Sequence, residues 1–362
     1  MLTDIITFFI ILFSKKKLVI YCESNSYSCY FTEVLNQLLI NQIKFTYICQ
    51  KNDPNILKLS LKDYFEFNNI KLASSSISSI QCEKLILTTP DFGDTVKISR
   101  KCKEHIYLFH SLVSSNMVYR ENAFDSYDTI CCVGPHHYRE FLNKKNKRKQ
   151  KLLKIGYPFL DTLIKKKRLT KNSYDNNKIL IAPTWLPNEK NYYYENYFDL
   201  INILISKNYN VTLRPHPEFF KRFESKLLEI KKKLKSEKSF SIDRSQDSFD
   251  ILNKSKYLIT DWSGISLEFA FIFKRPILFL DTKKKILNKN FDKDHDIPAE
   301  ITIRDQIGSI IKKSDLNNID NILNELDKNE KKYSHKIQDC IDKLTYNYGS
   351  SAIKLINYIN NN

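Results

Sequence analysis

Residues 257–281 read YLITDWSGISLEFAFIFKRPILFLD. Tyr257-Leu258-Ile259-Thr260 is an apolar run of strand length. Asp261-Trp262-Ser263-Gly264 supplies turn residues, and Ile265 to Phe273 repeats apolar side chains at helical spacing. Lys274-Arg275-Pro276 stops that helix, because proline cannot continue it, and Ile277 to Leu280 is a second apolar run ending at Asp281. Strand, turn, helix, strand is one βαβ unit. Its turn puts Ser263, Gly264 and Ser266 at a helix N-terminus, where unsatisfied N–H groups and the helix dipole favour an anion such as phosphate. Glu268 stands one turn further on, where a carboxylate accepts hydrogen bonds from ribose hydroxyls. The competing reading has Asp261 and Ser263 merely capping the helix, with Glu268 solvated.

The same alternation extends in both directions from this unit. Upstream, Leu18–Cys22 and Phe45–Cys49 read as strands around an apolar-periodic helix, Phe31–Ile40. Further short apolar runs follow at Ile70–Ala73, Leu85–Thr88, Ile106–Phe109 and Thr129–Val133. A second series comprises strands Ile179–Ala182, Asn210–Leu213 and Phe240–Ile242, with helices Tyr193–Ser206, Phe219–Lys233 and Ser248–Lys254. Such alternation predicts an α/β protein with parallel sheets covered by helices on both faces. Two doubly wound domains facing a cleft are the natural assembly. The charged, Asn-rich segments Lys144–Lys151 and Lys165–Asn177 flank the crossover between them. The expected division is 1–160, 161–340 and a C-terminal helix, 341–362, packing back on the first domain. Gln306–Asn362 reads mostly as helices.

At 362 residues, with 42% hydrophobic and 27% charged side chains, the chain can bury two substantial cores and is not disordered. A net charge of +17 fits a nucleic-acid binder, a protein on an anionic membrane or an enzyme handling phosphorylated substrates. An abundance of Lys, Asn and Ile of the kind AT-rich genomes produce accounts for part of it. Zinc-finger spacing and basic heptads are absent, which argues against nucleic acid. Eight scattered cysteines contain no CxxC pair, so no metal is expected and reduced thiols fit a cytoplasmic protein. Ile5–Phe13 (IITFFIILF), followed by Lys15-Lys16-Lys17, is too short to span a bilayer, which takes about 20 residues. Two readings remain for it: a buried first element of the core, or a segment dipping into the membrane with its lysines at the headgroups.

Residues able to do chemistry fall at predicted strand ends, where ligands bind in open α/β sheets. Leu213-Arg214-Pro215-His216-Pro217 offers a guanidinium fork for phosphate and a histidine that can donate or shuttle a proton, both held by rigid prolines. Phe109-His110-Ser111 places His110 as a general base for an acceptor hydroxyl, with Ser111 beside it. Gly134-Pro135-His136-His137 puts His136 and His137 either on the acceptor side or at a helix cap. Ala182-Pro183-Thr184-Trp185 brings Thr184 to a phosphate or nucleobase.

Taken together these segments resemble the CDP-glycerol glycerophosphotransferase family, teichoic-acid-type polymerases and primases with a two-domain GT-B fold. That family carries a His-Gly motif, a Gly-Tyr-Pro…Asp crossover, Ala-Pro-Thr-Trp, Arg-Pro-His-Pro, and Thr-Asp-Tyr-Ser-Ser followed by an acidic residue. The counterparts here are His110-Ser111, Gly156-Tyr157-Pro158 with Asp161, Ala182 to Trp185, Arg214 to Pro217, and Thr260 to Gly264 with Glu268. Five motifs recur in order across Ile106–Asp281. Ser111, Trp262, Gly264 and Glu268 depart from the family's usual residues, which leaves the transferred group open.

The resemblance implies a CDP-activated polyol donor, glycerol phosphate foremost, and no tightly bound cofactor. Its pyrophosphate would be held by Arg214, His216 and the Ser263-Gly264 turn. His110 would deprotonate a hydroxyl of a polysaccharide or lipid-linked acceptor as it attacks the β-phosphorus. The basic surface and apolar N-terminus then imply peripheral association with an anionic membrane, at its cytoplasmic face. The Thr260-Asp261-Trp262-Ser263-Gly264…Glu268 pattern also resembles UDP-N-acetylglucosamine 2-epimerases on the same scaffold, so a UDP-sugar epimerase or GT-B glycosyltransferase is the alternative. A basic nucleic-acid-binding protein is the remote one.

Overall fold

The computed structural model describes residues 2–93, 97–143, 149–171, 174–291 and 297–361. Of the basic run Lys144–Lys151, residues 144–148 lie outside the described residues, as do 172–173 within Lys165–Asn177. The chain divides into two compact units: Met1–Thr162 with Leu287–Asp296 and Leu344–Asn362, and Leu163–Ile286 with Ile297–Lys343.

In the first unit, seven strands form one parallel sheet: β1 (Lys15–Cys22), β2 (Thr46–Gln50), β3 (Tyr64–Phe67), β4 (Gln81–Leu87), β5 (Cys102–Leu108), β6 (Thr129–Cys132) and β7 (Lys151–Lys154), in the order β3-β2-β1-β4-β5-β6-β7. The second unit has six: β8 (Asp175–Ile181), β9 (Asn210–Leu213), β10 (Phe240–Ile242), β11 (Ser255–Thr260), β12 (Ile277–Leu280) and β13 (Gly308–Ile311), in the order β10-β9-β8-β11-β12-β13. Each sheet therefore winds outward in both directions from a central pair, β1/β4 in one and β8/β11 in the other. In such doubly wound sheets the crevice for ligands opens beyond the carboxyl ends of that pair. Helices cover both faces of parallel sheets, which is why the strands read as near-continuous apolar runs. The helix Ile265–Phe273 is buried from Ser266 onward, as an all-round apolar helix must be. This is the α/β, two-sheet architecture expected from the sequence.

Several elements differ from the reading of the sequence. Ile70–Ala73 is no strand but the start of the helix Ile70–Ser79: the Asn69 side chain accepts the N–H groups of Lys71 and Leu72 at 2.9 and 3.4 Å and caps it. The strand lies just upstream, at β3. β7 and β13 were hidden in a basic run and in a stretch that reads as helical; both are edge strands, where polar ends disguise the pattern. Ile5–Phe13 forms the surface helix Leu2–Phe13, in which only Asp4 and Ile11 are buried, so it is not a core element. Asp4 fixes it by accepting from the Asn68 side chain and the Asn69 N–H at 3.0 and 2.8 Å. All eight cysteines are free, and all but Cys29 are buried.

The Gly-Tyr-Pro…Asp motif works inside the first unit. Gly156 has φ +97°, and a Cβ there would lie 2.1 Å from the Tyr346 carbonyl oxygen, so only glycine admits the C-terminal segment this closely. Asp161 then accepts the Ala352 N–H at 2.8 Å, at the start of the helix Ser351–Asn360. Ala352, Leu355 and Ile356 from that helix join the core formed with Phe31, Val34 and Leu35.

Candidate active site

β8 and β11 are neighbours, with Ile259 opposite Ile181 at the end of their register. The residues that follow are locked together by Asp261. Its Oδ1 accepts the backbone N–H groups of Thr184 at 2.8 Å and Trp262 at 2.6 Å. Its Oδ2 accepts the hydroxyls of Tyr192 at 2.6 Å and Tyr197 at 2.8 Å. Burial, and then the adjacent Asp261 carboxylate, push both tyrosine hydroxyls far above their ordinary range, so they stay protonated and donating. Asp261 is 1% exposed and fully engaged. Its carboxylate, expected at the donor, ties the Ala182–Trp185 loop to the turn after β11. Thr184 is likewise buried and meets the site through its backbone.

Ser263 and Gly264 are half-buried at the start of the helix Ile265–Phe273, while Ser266 turns its hydroxyl back to the Ser263 carbonyl at 2.8 Å. Glu268 is buried rather than solvated. A small pocket here is lined by Asp261, Trp262, Ser263, Ser266, Glu300 and Arg304. The Arg304 guanidinium lies 4.1 Å from the Trp262 ring centre, and its Nε has no hydrogen-bond partner.

β9 delivers Arg214 and His216. The Arg214 N–H donates to the Ile181 carbonyl at 2.8 Å, and its Nη1 binds Asp243 and, at 3.0 Å, Ser245 Oγ. One arm of the fork is thereby anchored to the loop after β10. His216 caps the helix Pro217–Lys233: its Nδ1 accepts the Glu218 N–H at 3.2 Å. A nitrogen that accepts carries no proton, so the neutral ring bears its hydrogen on Nε2 and presents a donor. The ring lies 5.9 Å from that of Trp185.

In the first unit, His110 follows β5. Its Nδ1 lies 3.0 Å from the Thr88 carbonyl oxygen and 3.0 Å from the Thr88 hydroxyl, at the end of β4. A carbonyl oxygen only accepts, so the proton is on Nδ1 and Nε2 keeps a lone pair. Tyr119 Oη stands 3.5 Å from Nε2, and Tyr27 and Tyr30 flank the ring at 5.4 and 5.8 Å. Ser111 Oγ accepts the Val113 N–H at 3.4 Å and shapes the turn. His136 and His137 are buried, their Nε2 atoms 2.9 and 2.7 Å from the carbonyls of Leu112 and Val113. Both rings, read from the sequence as acceptor-side or helix-capping groups, thus hold the loop after His110 through its carbonyls.

The sequence reading missed Thr88, Tyr119, Trp185 as a ring platform, and the cations Arg222, Lys285 and Arg304. The lysine triplet Lys283-Lys284-Lys285 directly after a strand was the available signal. Among the described residues, no group of three His, Cys, Asp or Glu side chains could hold a metal ion.

The fold is shared with solved structures. The wall teichoic acid polymerase TagF superposes with a TM-score of 0.67 at 18% identity, covering 95% of this chain and 88% of that one. A histidine-to-asparagine variant of TagF soaked with CDPG gives 0.64 at 18% identity, covering 96% and 88%. The UDP complex of MnaA from S. aureus gives 0.63 at 13% identity, covering 96% of each. No curated protein matches significantly. The family model of CDP-Glycerol:Poly(glycerophosphate) glycerophosphotransferase matches residues 5–361, and the chain belongs to that family of transferases.

Proposed function

We propose that this chain moves a polyol phosphate, glycerol phosphate foremost, from a CDP-activated donor to a hydroxyl of a cell-surface polysaccharide or lipid-linked acceptor. The observation that carries the reading is His110, whose Nδ1 is tied to the Thr88 carbonyl so that Nε2 is left as a base. In this reading the first unit serves the acceptor. His110 Nε2 takes the hydroxyl proton as the oxygen attacks the β-phosphorus, and the bond to the CMP oxygen breaks. The second unit serves the donor. The His216 Nε2–H, the Arg214 guanidinium and the N–H groups at the Ser263-Gly264 turn stabilise the charge that collects on the leaving CMP, a preorganised electrostatic contribution. Glu268 and Ser266 lie behind that turn and shape it for the ribose.

TagF soaked with CDPG supports a cytidine donor, and family membership supports the transfer. We further propose that the enzyme works at the cytoplasmic face of an anionic membrane. The helix Leu2–Phe13 exposes Leu2, Ile6, Phe9, Ile10 and Phe13 directly ahead of Lys15-Lys16-Lys17, an arrangement suited to lying in a headgroup layer. No described helix is long and apolar enough to cross a membrane.

Calorimetric titration with CDP-glycerol, CDP-ribitol, CMP, UDP-N-acetylglucosamine and UDP tests the donor. Cytidine-selective binding that weakens in Arg214→Ala is expected. Uridine-selective binding would replace this reading with the epimerase or sugar-transferase one, which the fold shared with MnaA supports.

A further inference from the structure

The loop after β12 carries three successive lysines that meet different fates. Lys283 pairs with Glu189 at 2.7 Å, and Lys284 lies 6.0 Å from the Trp262 ring centre. Lys285 is half-buried, with its ammonium 5.6 Å from the Trp185 ring centre, and it makes no salt bridge or hydrogen bond among the described residues. Two other positive or donating groups surround the same ring: the Arg222 guanidinium at 5.3 Å and the His216 imidazole at 5.9 Å.

The carboxylates that attract Lys285 from a distance are Asp261, Glu218 and Glu300. Asp261 already accepts four hydrogen bonds. Glu218 holds Lys221 at 2.9 Å and Arg222 at 3.3 Å. Lys285 is thus partly withdrawn from water without an anion bonded to it, an arrangement that opposes stability. Burial, partly offset by those three carboxylates, lowers its proton affinity to about 8. A partly desolvated cation and a fixed N–H donor that share one aromatic ring, after two strand ends of the same sheet, suit an incoming polyanion.

We propose that Lys285 is a further donor-binding residue, its ammonium joining the Nε2–H of His216 on the phosphate oxygens of a nucleoside-diphosphate donor. Trp185 is the platform that sets the spacing, and Arg222, exposed and shared with Glu218, contributes at the rim. The inference rests on the transferase reading above and deepens it. A phosphate could also arrive on a poly(glycerol phosphate) acceptor; the position of Lys285, in the unit and at the strand ends that hold Arg214 and His216, assigns it to the donor.

The test compares wild type, Lys285→Met and Lys285→Arg, each checked for native thermal unfolding, by titration with CDP-glycerol, CMP and cytidine at pH 7 and 9, and by transfer kinetics. Lys285→Met is expected to weaken CDP-glycerol binding about tenfold or more, as loss of a charged hydrogen bond does, and to leave cytidine binding unchanged. Wild-type affinity is expected to fall as pH rises through about 8, while Lys285→Arg holds its affinity at pH 9. Lys284, Arg222, His216, Asp261, Glu218 and Glu300 also face this space, and Lys285→Arg, whose guanidinium keeps its charge at pH 9, separates Lys285 from them. The wild-type pH profile tests the idea even if Lys285→Met does not fold. If wild type binds CDP-glycerol and both its pH profile and Lys285→Met leave the affinity unmoved, the inference falls and the transferase reading stands. A rise in KM for the acceptor alone overturns the donor assignment. Wild type that binds no cytidine nucleotide overturns both.

Discussion

His110 and His216 carry their ring protons on opposite nitrogens. The Thr88 carbonyl, 3.0 Å from His110 Nδ1, compels that nitrogen to donate, and the Glu218 N–H, 3.2 Å from His216 Nδ1, compels that one to accept. Backbone groups, which cannot titrate, therefore leave a lone pair on Nε2 of one neutral imidazole and a proton on Nε2 of the other. The two histidines are not interchangeable, and their variants should fail differently.

Replacing His110 with asparagine removes the Nε2 lone pair but keeps a side-chain N–H that can reach Thr88. Transfer to the acceptor should fall by about 10²–10⁴-fold, the usual contribution of a general base, with donor affinity unchanged. Single-turnover transfer beside calorimetric donor titration checks this; a parallel loss of both would rule out the base role.

For His216, asparagine and alanine separate capping from catalysis. Asparagine caps helices well, so His216→Asn should unfold at the wild-type temperature, while His216→Ala should lose about 1 kcal/mol. Both should weaken donor binding, since neither restores the Nε2–H. Thermal unfolding and CDP-glycerol titration on the same preparations decide it.

Asp261 offers a different contrast. Asp261→Ala strands two buried backbone N–H groups and the Tyr197 hydroxyl, while Tyr192 keeps Thr282 Oγ1 at 3.0 Å, which should cost at least about 3 kcal/mol, at 1–3 kcal/mol for each stranded group. Asp261→Asn keeps the Oδ1 contacts and should lose about 1–3 kcal/mol. If Asp261→Asn proves fully stable yet binds no donor, the residue touches the ligand after all.

Phe9→Asp with Phe13→Asp should abolish flotation of the protein with vesicles containing anionic lipid and leave donor affinity intact. Both rings are exposed, at 49% and 83%, so the substitutions remove no core contact. Raised salt should weaken wild-type flotation in part, through Lys15-Lys16-Lys17, because exposed charges are screened. Flotation that survives the double substitution would exclude this helix as the anchor.

How far the sequence reaches can be judged from particular residues. The βαβ unit at Tyr257–Asp281 was legible because a strand buried on both faces must be apolar throughout and Pro276 ends the helix. β7, with a lysine at each end, and β13 were not legible, because an edge strand satisfies only half of its environment and its composition follows solvent. At the site, strand-end position picked out His110, Arg214, His216 and Ser263, the residues on which the proposed mechanism draws. It could not distinguish a ligand contact from a buried strut. The partners that Asp261, His136 and His137 have in the fold, tyrosine hydroxyls and backbone groups mostly distant in the chain, were not legible. Lys285 escaped notice for the converse reason: its environment is made by Trp185 and by carboxylates already engaged elsewhere.

The hydrogen bond from the Ala352 N–H to Asp161 joins residues 191 positions apart. The whole of the second unit's sequence lies between them. On the ribosome, the second unit is therefore fully synthesised before the first receives its closing helix. Until then Phe31, Val34 and Leu35 wait without Leu355 and Ile356, an apolar surface open to chaperones and to other nascent chains. The order of translation thus inverts the order of maturation: the half made first finishes last.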